Sequence, residues 1–403
     1  MKVVILDPYF ESLGGGEKVI VVMAQHLALQ HDVIILVKKP VDKDMVGKYF
    51  DTDLTRVRFE PLPKESFFVR AITSRYVKLP GRWKSIIYDR GSLRALKAMK
   101  PDLFINNLYQ SNLPSPAPKS VYMCMFPQKL TPGNIYHNAI RRFYNRFTTF
   151  MEARLLGTRR QAIDSYTIVA ANSKYTSGWI KKYWGREPDI LYPVCDDMGP
   201  PLPKKHIIMS AGRFFADNGS SHHKRQDKML AAFIALNRPD WELHLAGSVA
   251  EDSDSQDYFK SLQDAAEGHP NIFIHPNMPF ADIKRLRQEA AIYWHATGLG
   301  YDPNVFPENQ EHFGMVTAEA MSAGAVPVVY NSAGQTEVVT NGKNGFLWNT
   351  IDELLEQTRT VMDDNKLRSK LSDAAVKRAR EFDRAAFLKR VDQLILEVTH
   401  GRP

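Results

Sequence analysis

Two glutamates eight positions apart, Glu311 and Glu319, are the residues of this chain best placed by type and spacing to do chemistry. Were the intervening residues all helical, the two would lie about 12 Å apart, the span of a ribose, a diphosphate and a sugar laid end to end. A carboxylate can accept two hydroxyl hydrogen bonds from a vicinal diol. Each glutamate therefore suits one polyhydroxylated end of a nucleotide sugar. Between them, the free N–H groups of Gly314, Met315 and Val316 at a helix start favour a phosphate. The bland reading, an acidic residue near a helix start and a solvated glutamate inside it, fits the spacing equally well.

The neighbouring elements must hold these residues in place. Gly314 permits a tight bend, Val316, Ala320 and Ala323 recur at helical spacing, and Gly324 is a natural stop. The apolar run to Tyr330 then reads as a buried parallel strand. Upstream, a strand over Ile207–Ser210 runs into Ala211-Gly212-Arg213. A loop over Asp217–His223 follows, and Lys224 opens a helix carrying Met229, Leu230, Phe233 and Leu236. A guanidinium fork and a point cation are what neutralise phosphate oxygens. At the other end of the chain, Val3–Asp7 reads as a strand and Pro8–Glu17 as a loop containing Gly14-Gly15-Gly16. A helix with Val19, Val22, Met23 and Leu27 on one face comes next, and Val33–Val37 is a second strand. This opens a Rossmann-like unit. The triplet does not match G-x-G-x-x-G, and Lys38-Lys39 ends the second strand where a dinucleotide ribose would want an acid. Its service is close backbone approach to an anion or substrate.

Glu-His-Phe-Gly-Met at 311–315, Glu-Ala-Met-Ser-Ala-Gly at 319–324 and the following Val-Pro-Val-Val, Gly-Gln-Thr-Glu and Asn-Gly-Phe-Leu-Trp words resemble the donor site of GT4-family retaining glycosyltransferases. The resemblance runs from the glycine triplet to the terminal helix. It implies an α/β chain with the GT-B fold, two Rossmann-like domains facing each other across a cleft. It also implies that Arg213 and Lys224 clamp the diphosphate and that the loop of Gly15 and Gly16 lies beneath the donor phosphate. Glu319 would grip the ribose diol and Glu311 would face the transferred sugar. The chain at the end of strand 272–275, His275 to Met278, would hold the nucleobase. Some branches carry a His-aromatic-Pro triplet where this chain has Met125-Phe126-Pro127, so Met125 stands at the histidine position.

At 403 residues the chain suits two domains. The expected division is 1–197 with a terminal helix 384–403 crossing back, and 204–383, joined by the polar, proline-rich stretch 196–205. Two cysteines are too few for a disulfide framework or metal cluster. No apolar run reaches the length of a membrane span, and Met1-Lys2 leads straight into a strand, so a cytoplasmic protein is expected. Asp51-Thr52-Asp53 and Asp252-Ser253-Asp254 offer an Asp-x-Asp pair only superficially, and His222-His223 lacks a zinc pattern. No metal or other cofactor is expected, because Arg213, Lys224 and the helix at Gly314 supply the positive potential.

The formal charge of +8 is concentrated before residue 161. One cluster runs from Arg70 to Lys100. The other comprises Arg141, Arg142, Arg146, Arg154, Arg159 and Arg160, interleaved with Phe143, Tyr144, Phe147 and Phe150. Residues 140–160 read either as an ordinary helix with aromatics in the core or as an interfacial helix on anionic headgroups. No nucleic-acid motif accompanies the charge. The expected reaction is retaining transfer from a UDP or GDP sugar to a glycan or lipid-linked acceptor, with an anionic membrane surface on the cytoplasmic side as a further partner. A catalytically inactive GT-B scaffold, or a module that binds nucleic acid or an anionic membrane, is the alternative.

Overall fold

The computed structural model describes residues 1–403 other than 9, 11–12, 63–91, 110, 131–138, 157–158, 217–222 and 402–403, with backbone only at 139–142, 152–153 and 155–156. The chain divides into two compact units, Met1–Leu191 with Leu388–Pro403, and Tyr192–Phe387.

The first unit is built on seven parallel strands: β1 (Lys2–Leu6), β2 (Asp32–Val37), β3 (Val57–Pro61), β4 (Leu103–Asn106), β5 (Ser120–Cys124), β6 (Ile168–Ala171) and β7 (Asp189–Ile190). Most are unbroken apolar runs. Val3, Val4 and Ile5 are fully buried, as are Phe104 and Ile105, as expected of a parallel sheet covered on both faces. The order β3-β2-β1-β4-β5-β6-β7 puts consecutive crossovers on opposite sides of the line between β1 and β4. Ligands of such sheets collect at that switch point, outside the carboxyl ends of the strands. Helix α1 (Gly15–Leu27) follows β1. It begins inside the stretch expected as a loop, because the Glu17 carboxylate reaches back to accept the Gly14 N–H at 2.8 Å.

The second unit carries six parallel strands: β8 (Lys205–Ala211), β9 (Glu242–Gly247), β10 (Ile272–Pro276), β11 (Ala290–His295), β12 (Val326–Tyr330) and β13 (Phe346–Trp348). Their order, β10-β9-β8-β11-β12-β13, places the switch point between β8 and β11. Its core gathers the fully buried Trp241, Trp294 and Trp348 with Phe214, Leu243 and Leu245.

The chain passes between units after Leu191, six residues before the boundary expected at 197. Tyr192 packs its ring against Phe313 and Phe382, at 5.2 and 5.4 Å between centroids. The Cys195 N–H donates to the Phe382 carbonyl at 2.9 Å. These contacts claim for the second unit a stretch that reads in sequence as the closing strand of the first. That strand ends at Ile190. The last helix, Arg384–His400, returns: Arg390 donates to the Ile190 carbonyl and Asp189, and His26 meets Asp392 at 2.6 Å.

Helix α2 (Ala139–Leu156) settles one alternative. Phe143 and Phe150 are 73% and 62% exposed, and Phe147 is 43% exposed, so this stripe is not core. The cluster Arg70 to Arg90 and the side chains of Arg141 and Arg142 lie outside the described residues.

Leu394, 1% exposed on the terminal helix, tests that element. Leu394→Ala should cost about 2–5 kcal/mol, read as a lowered denaturation midpoint of the transition that includes the first unit. A midpoint equal to the native protein's would show that the helix does not contribute to it.

Candidate active site

The switch point of the second sheet brings together the ends of β8 and β11. After β8 the chain runs through Gly212 and Arg213. Gly212 has a steric duty: a Cβ there would stand 2.8 Å from Cγ of Lys224. The lysine stem therefore lies across this glycine, and any side chain at 212 would push it aside. Gln226, the first residue of helix α3 (Gln226–Leu236), donates its side-chain N–H to the carbonyls of both Gly212 and Arg213 at 3.2 Å. The exposed Arg213 stacks its guanidinium on the Phe215 ring at 4.4 Å. Asp217 to His222, most of the loop joining these pieces, lies outside the described residues.

After β11, Glu311 is fixed through its backbone: its carbonyl accepts the Gly334 N–H at 2.9 Å. Gly314 has φ +104°, a conformation L side chains rarely adopt, and a Cβ there would meet the Gln335 amide at 2.8 Å. This bend starts helix α4 (Met315–Ser322), whose first N–H groups, including those of Met315 and Val316, lack intrahelical acceptors.

Lys224 Nζ donates to Glu311 Oε2 at 2.7 Å, with the side chains 22% and 17% exposed. His295 Nε2 lies 3.1 Å from the same oxygen, and equally from Thr297 Oγ1. Burial alone would raise the Glu311 pKa. The Lys224 charge and the His295 hydrogen bond outweigh it, and the carboxyl is held well below its usual range. Burial lowers the His295 pKa below its ordinary value, against the pull of Glu311. The imidazole is thus neutral at pH 7. Facing an ionised carboxylate, its Nε2 carries the proton by inference from the acceptor. Its Nδ1 is buried with no hydrogen-bond partner among the described residues.

Glu319 is 7% exposed, and its Oε2 pairs with Arg287 Nη1 at 3.1 Å. Met278 follows the outer strand β10 at the same end of the sheet and packs beside Met209 and Leu286. Gly15 and Gly16 belong to the first unit, where they are the opening residues of α1. A Cβ on Gly16 would stand 2.6 Å from Cε of Met125, so the methionine at the histidine position closes down on that glycine. Asp53 accepts the Thr55 N–H and Asp252 caps the helix Ser253–Ala266. One carboxylate of each Asp-x-Asp pair thus accepts a backbone N–H.

Sequence reasoning singled out Lys224 and Glu311 but missed His295 and Arg287. Each left a trace. His295 is the one basic residue in the strand Ala290–His295 and stands at its carboxyl end. Arg287 shares an i, i+3, i+4, i+7 face with Ile283, Leu286 and Ala290, and so occupies an apolar-face position.

Lys224→Met leaves the partly buried Glu311 without its cation, and should destabilise by about 1–3 kcal/mol at pH 7. The Glu311 pKa is depressed by folding, so its contribution is present above the unfolded value of 4.5 and lost as pH falls through the folded one. The difference in melting temperature between native and variant should therefore hold from pH 7 to about 5 and shrink below 4.5. A difference that is the same at pH 3 and pH 7 would separate the stability effect from this ion pair.

Residues 200–378 match the family of glycosyl transferases group 1. A GDP-Man:Man(3)GlcNAc(2)-PP-Dol alpha-1,2-mannosyltransferase of Dictyostelium discoideum is 23% identical over 88% of this chain and 76% of its own length. The crystal structure of Anabaena Alr3699/HepE in complex with UDP and glucose superposes with a TM-score of 0.66 at 18% identity, covering 98% of this chain and 99% of that one. A glycosyltransferase from Rickettsia africae ESF-5 gives 0.68 at 15% identity, covering 99% of each. Residues 200–378 thus resemble the glycosyl transferases group 1, and the whole length takes the GT-B fold.

Proposed function

We propose that the chain transfers a sugar from a nucleoside diphosphate sugar to a lipid-linked or glycan acceptor, with retention of anomeric configuration and without a metal ion. The observation that carries this is the pairing of Lys224 with an ionised Glu311 beside the open start of helix α4. A departing diphosphate needs positive charge placed in advance where negative charge develops. Arg213, Lys224 and the N–H groups at Met315 and Val316 supply it at one strand end. The relatives named for GDP-mannose and the Anabaena structure holding UDP support a GDP or UDP sugar as donor. The dolichyl diphosphate in the relatives' names supports a lipid-linked acceptor.

Among the described residues no helix is long and apolar enough to cross a membrane. Reaching a lipid-linked acceptor would then fall to the surface. Helix α2 suits that role, since Phe143 and Phe147 stack at 6.5 Å on an exposed face that also carries Arg146 and Arg154. Such a helix lies at an anionic headgroup boundary with its rings inward, each basic residue adding about 1 kcal/mol near the surface.

Two experiments test this reading. With a radiolabelled GDP or UDP sugar in buffer containing EDTA, the native protein should transfer label. Glu311→Gln should lower kcat more than it raises KM, since its partner changes charge in the transition state, whereas Glu319→Gln should chiefly raise KM for the donor. A strict, restorable need for magnesium or manganese, or equal effects in both variants, would contradict these roles. In sedimentation with vesicles containing anionic lipid, the protein should pellet at low salt and release as salt rises. Changing Phe143, Phe147 and Phe150 together to Ser should weaken pelleting and leave donor binding alone. Native protein that ignores such vesicles at low salt would remove the membrane role.

A further inference from the structure

Two donors meet at one oxygen in the donor site. Glu311 Oε2 accepts from Lys224 at 2.7 Å and from His295 at 3.1 Å. A diphosphate bound at the opening of α4 is a stronger partner for the lysine than a single carboxylate, because it offers more charge and several acceptor oxygens. If the lysine swings to it, Glu311 keeps one donor, a neutral imidazole, on a side chain only 17% exposed. A carboxylate in that position draws a proton to itself or to its partner.

Resting on the donor-site reading above, we propose that His295 is a positioning residue for Glu311, and that the Glu311–His295 pair takes up a proton when a nucleotide sugar draws Lys224 away. The geometry provides for this. His295 is 4% exposed, and Nε2 faces Glu311 and Thr297, while Nδ1 is a vacant buried acceptor among the described residues. Among the described residues the groups that face the imidazole are Glu311 ahead of α4, Lys224 ahead of α3 and the Thr297 hydroxyl just past its own strand. Two residues back along the strand, the Tyr293 hydroxyl stays neutral, its pKa raised by burial. In the free protein burial, and after it the Lys224 charge, oppose protonation of His295, and withdrawing Lys224 lifts the second of these while the pull of Glu311 stays. The proton belongs to the pair, which titrates as a unit. The exchange is balanced: one ammonium leaves the carboxylate for the diphosphate, and one proton enters from solvent. No bond to carbon is made or broken.

The sign follows from linkage. Uptake on binding means that affinity rises as pH falls, by up to about tenfold per unit for a full proton. Titration calorimetry with GDP-mannose and with UDP-glucose, whose diphosphate esters do not titrate near neutrality, reads the proton directly. At pH 7.5, binding enthalpies in buffers of different ionisation enthalpy should fall on a line whose slope reports net uptake. His295→Gln keeps an N–H donor for Glu311 but has no nitrogen to protonate. It should bind the same sugar nucleotide with that slope clearly reduced and with flatter pH dependence. Binding by the native protein with no buffer dependence overturns the proposal without any variant, as does unchanged uptake in a folded His295→Gln protein. Failure of the native protein to bind either nucleotide sugar would instead defeat the donor-site reading, and this inference with it.

Discussion

The candidate site at the β8–β11 switch point depends on one carboxylate oxygen with two donors. Glu311 Oε2 receives the Lys224 ammonium and the His295 imidazole, and neither would be there without constraints set elsewhere. Lys224 reaches it by lying across Gly212, where a methyl group would collide with the stem. His295 reaches it because β11 ends beside β8, at the point where the chain switches sides of the sheet. Glu311 is held by the Gly334 N–H and by the left-handed bend at Gly314. The result is a partly buried charge kept ionised by its neighbours, next to the N–H groups that open a helix. Such a site is poised to exchange an internal partner for an anionic one.

The first unit repeats the logic with different chemistry. Its switch point lies between β1 and β4. There Asn107, just past β4, donates to the buried carboxylate of Asp7 at 2.8 Å, just past β1. The opening of α1 is close by: Asn107 Nδ2 and Met125 Cε both come within 4 Å of the point a Cβ on Gly16 would occupy. Met125, at that point, offers a soft thioether with no charge and only a weak acceptor.

Much of the architecture was legible because parallel strands buried on both faces are apolar throughout, and Val3–Leu6, Ile207–Met209 and Val326–Val329 read that way. The Gly-Arg and Lys224 words, and the glutamate pair, carried their chemistry in residue type alone. What sequence withheld was partnership. Lys284, Arg285 and Arg287 look alike in a row, yet Arg287 alone of them is buried, and it is paired with Glu319. His295 acquires meaning only once the strand order puts its end beside Gly212. The chain changes unit earlier than expected because Ile190 to Val194 reads as one strand, while the packing of Tyr192 on Phe313 and Phe382 decides where that residue belongs. The exposed Phe143, Phe147 and Phe150 could not be told from a core stripe by spacing, since both have the same helical period.

The most direct test of the donor site is a crystal structure of the protein soaked with the nucleotide sugar it binds. Diphosphate oxygens should lie within hydrogen-bond distance of Lys224 Nζ and of the N–H groups opening helix α4 at Met315 and Val316, with Lys224 Nζ moved off Glu311 and His295 still on it. A diphosphate bound away from Lys224 and that helix start, with the Lys224–Glu311 pair intact at its 2.7 Å separation, would contradict the assignment.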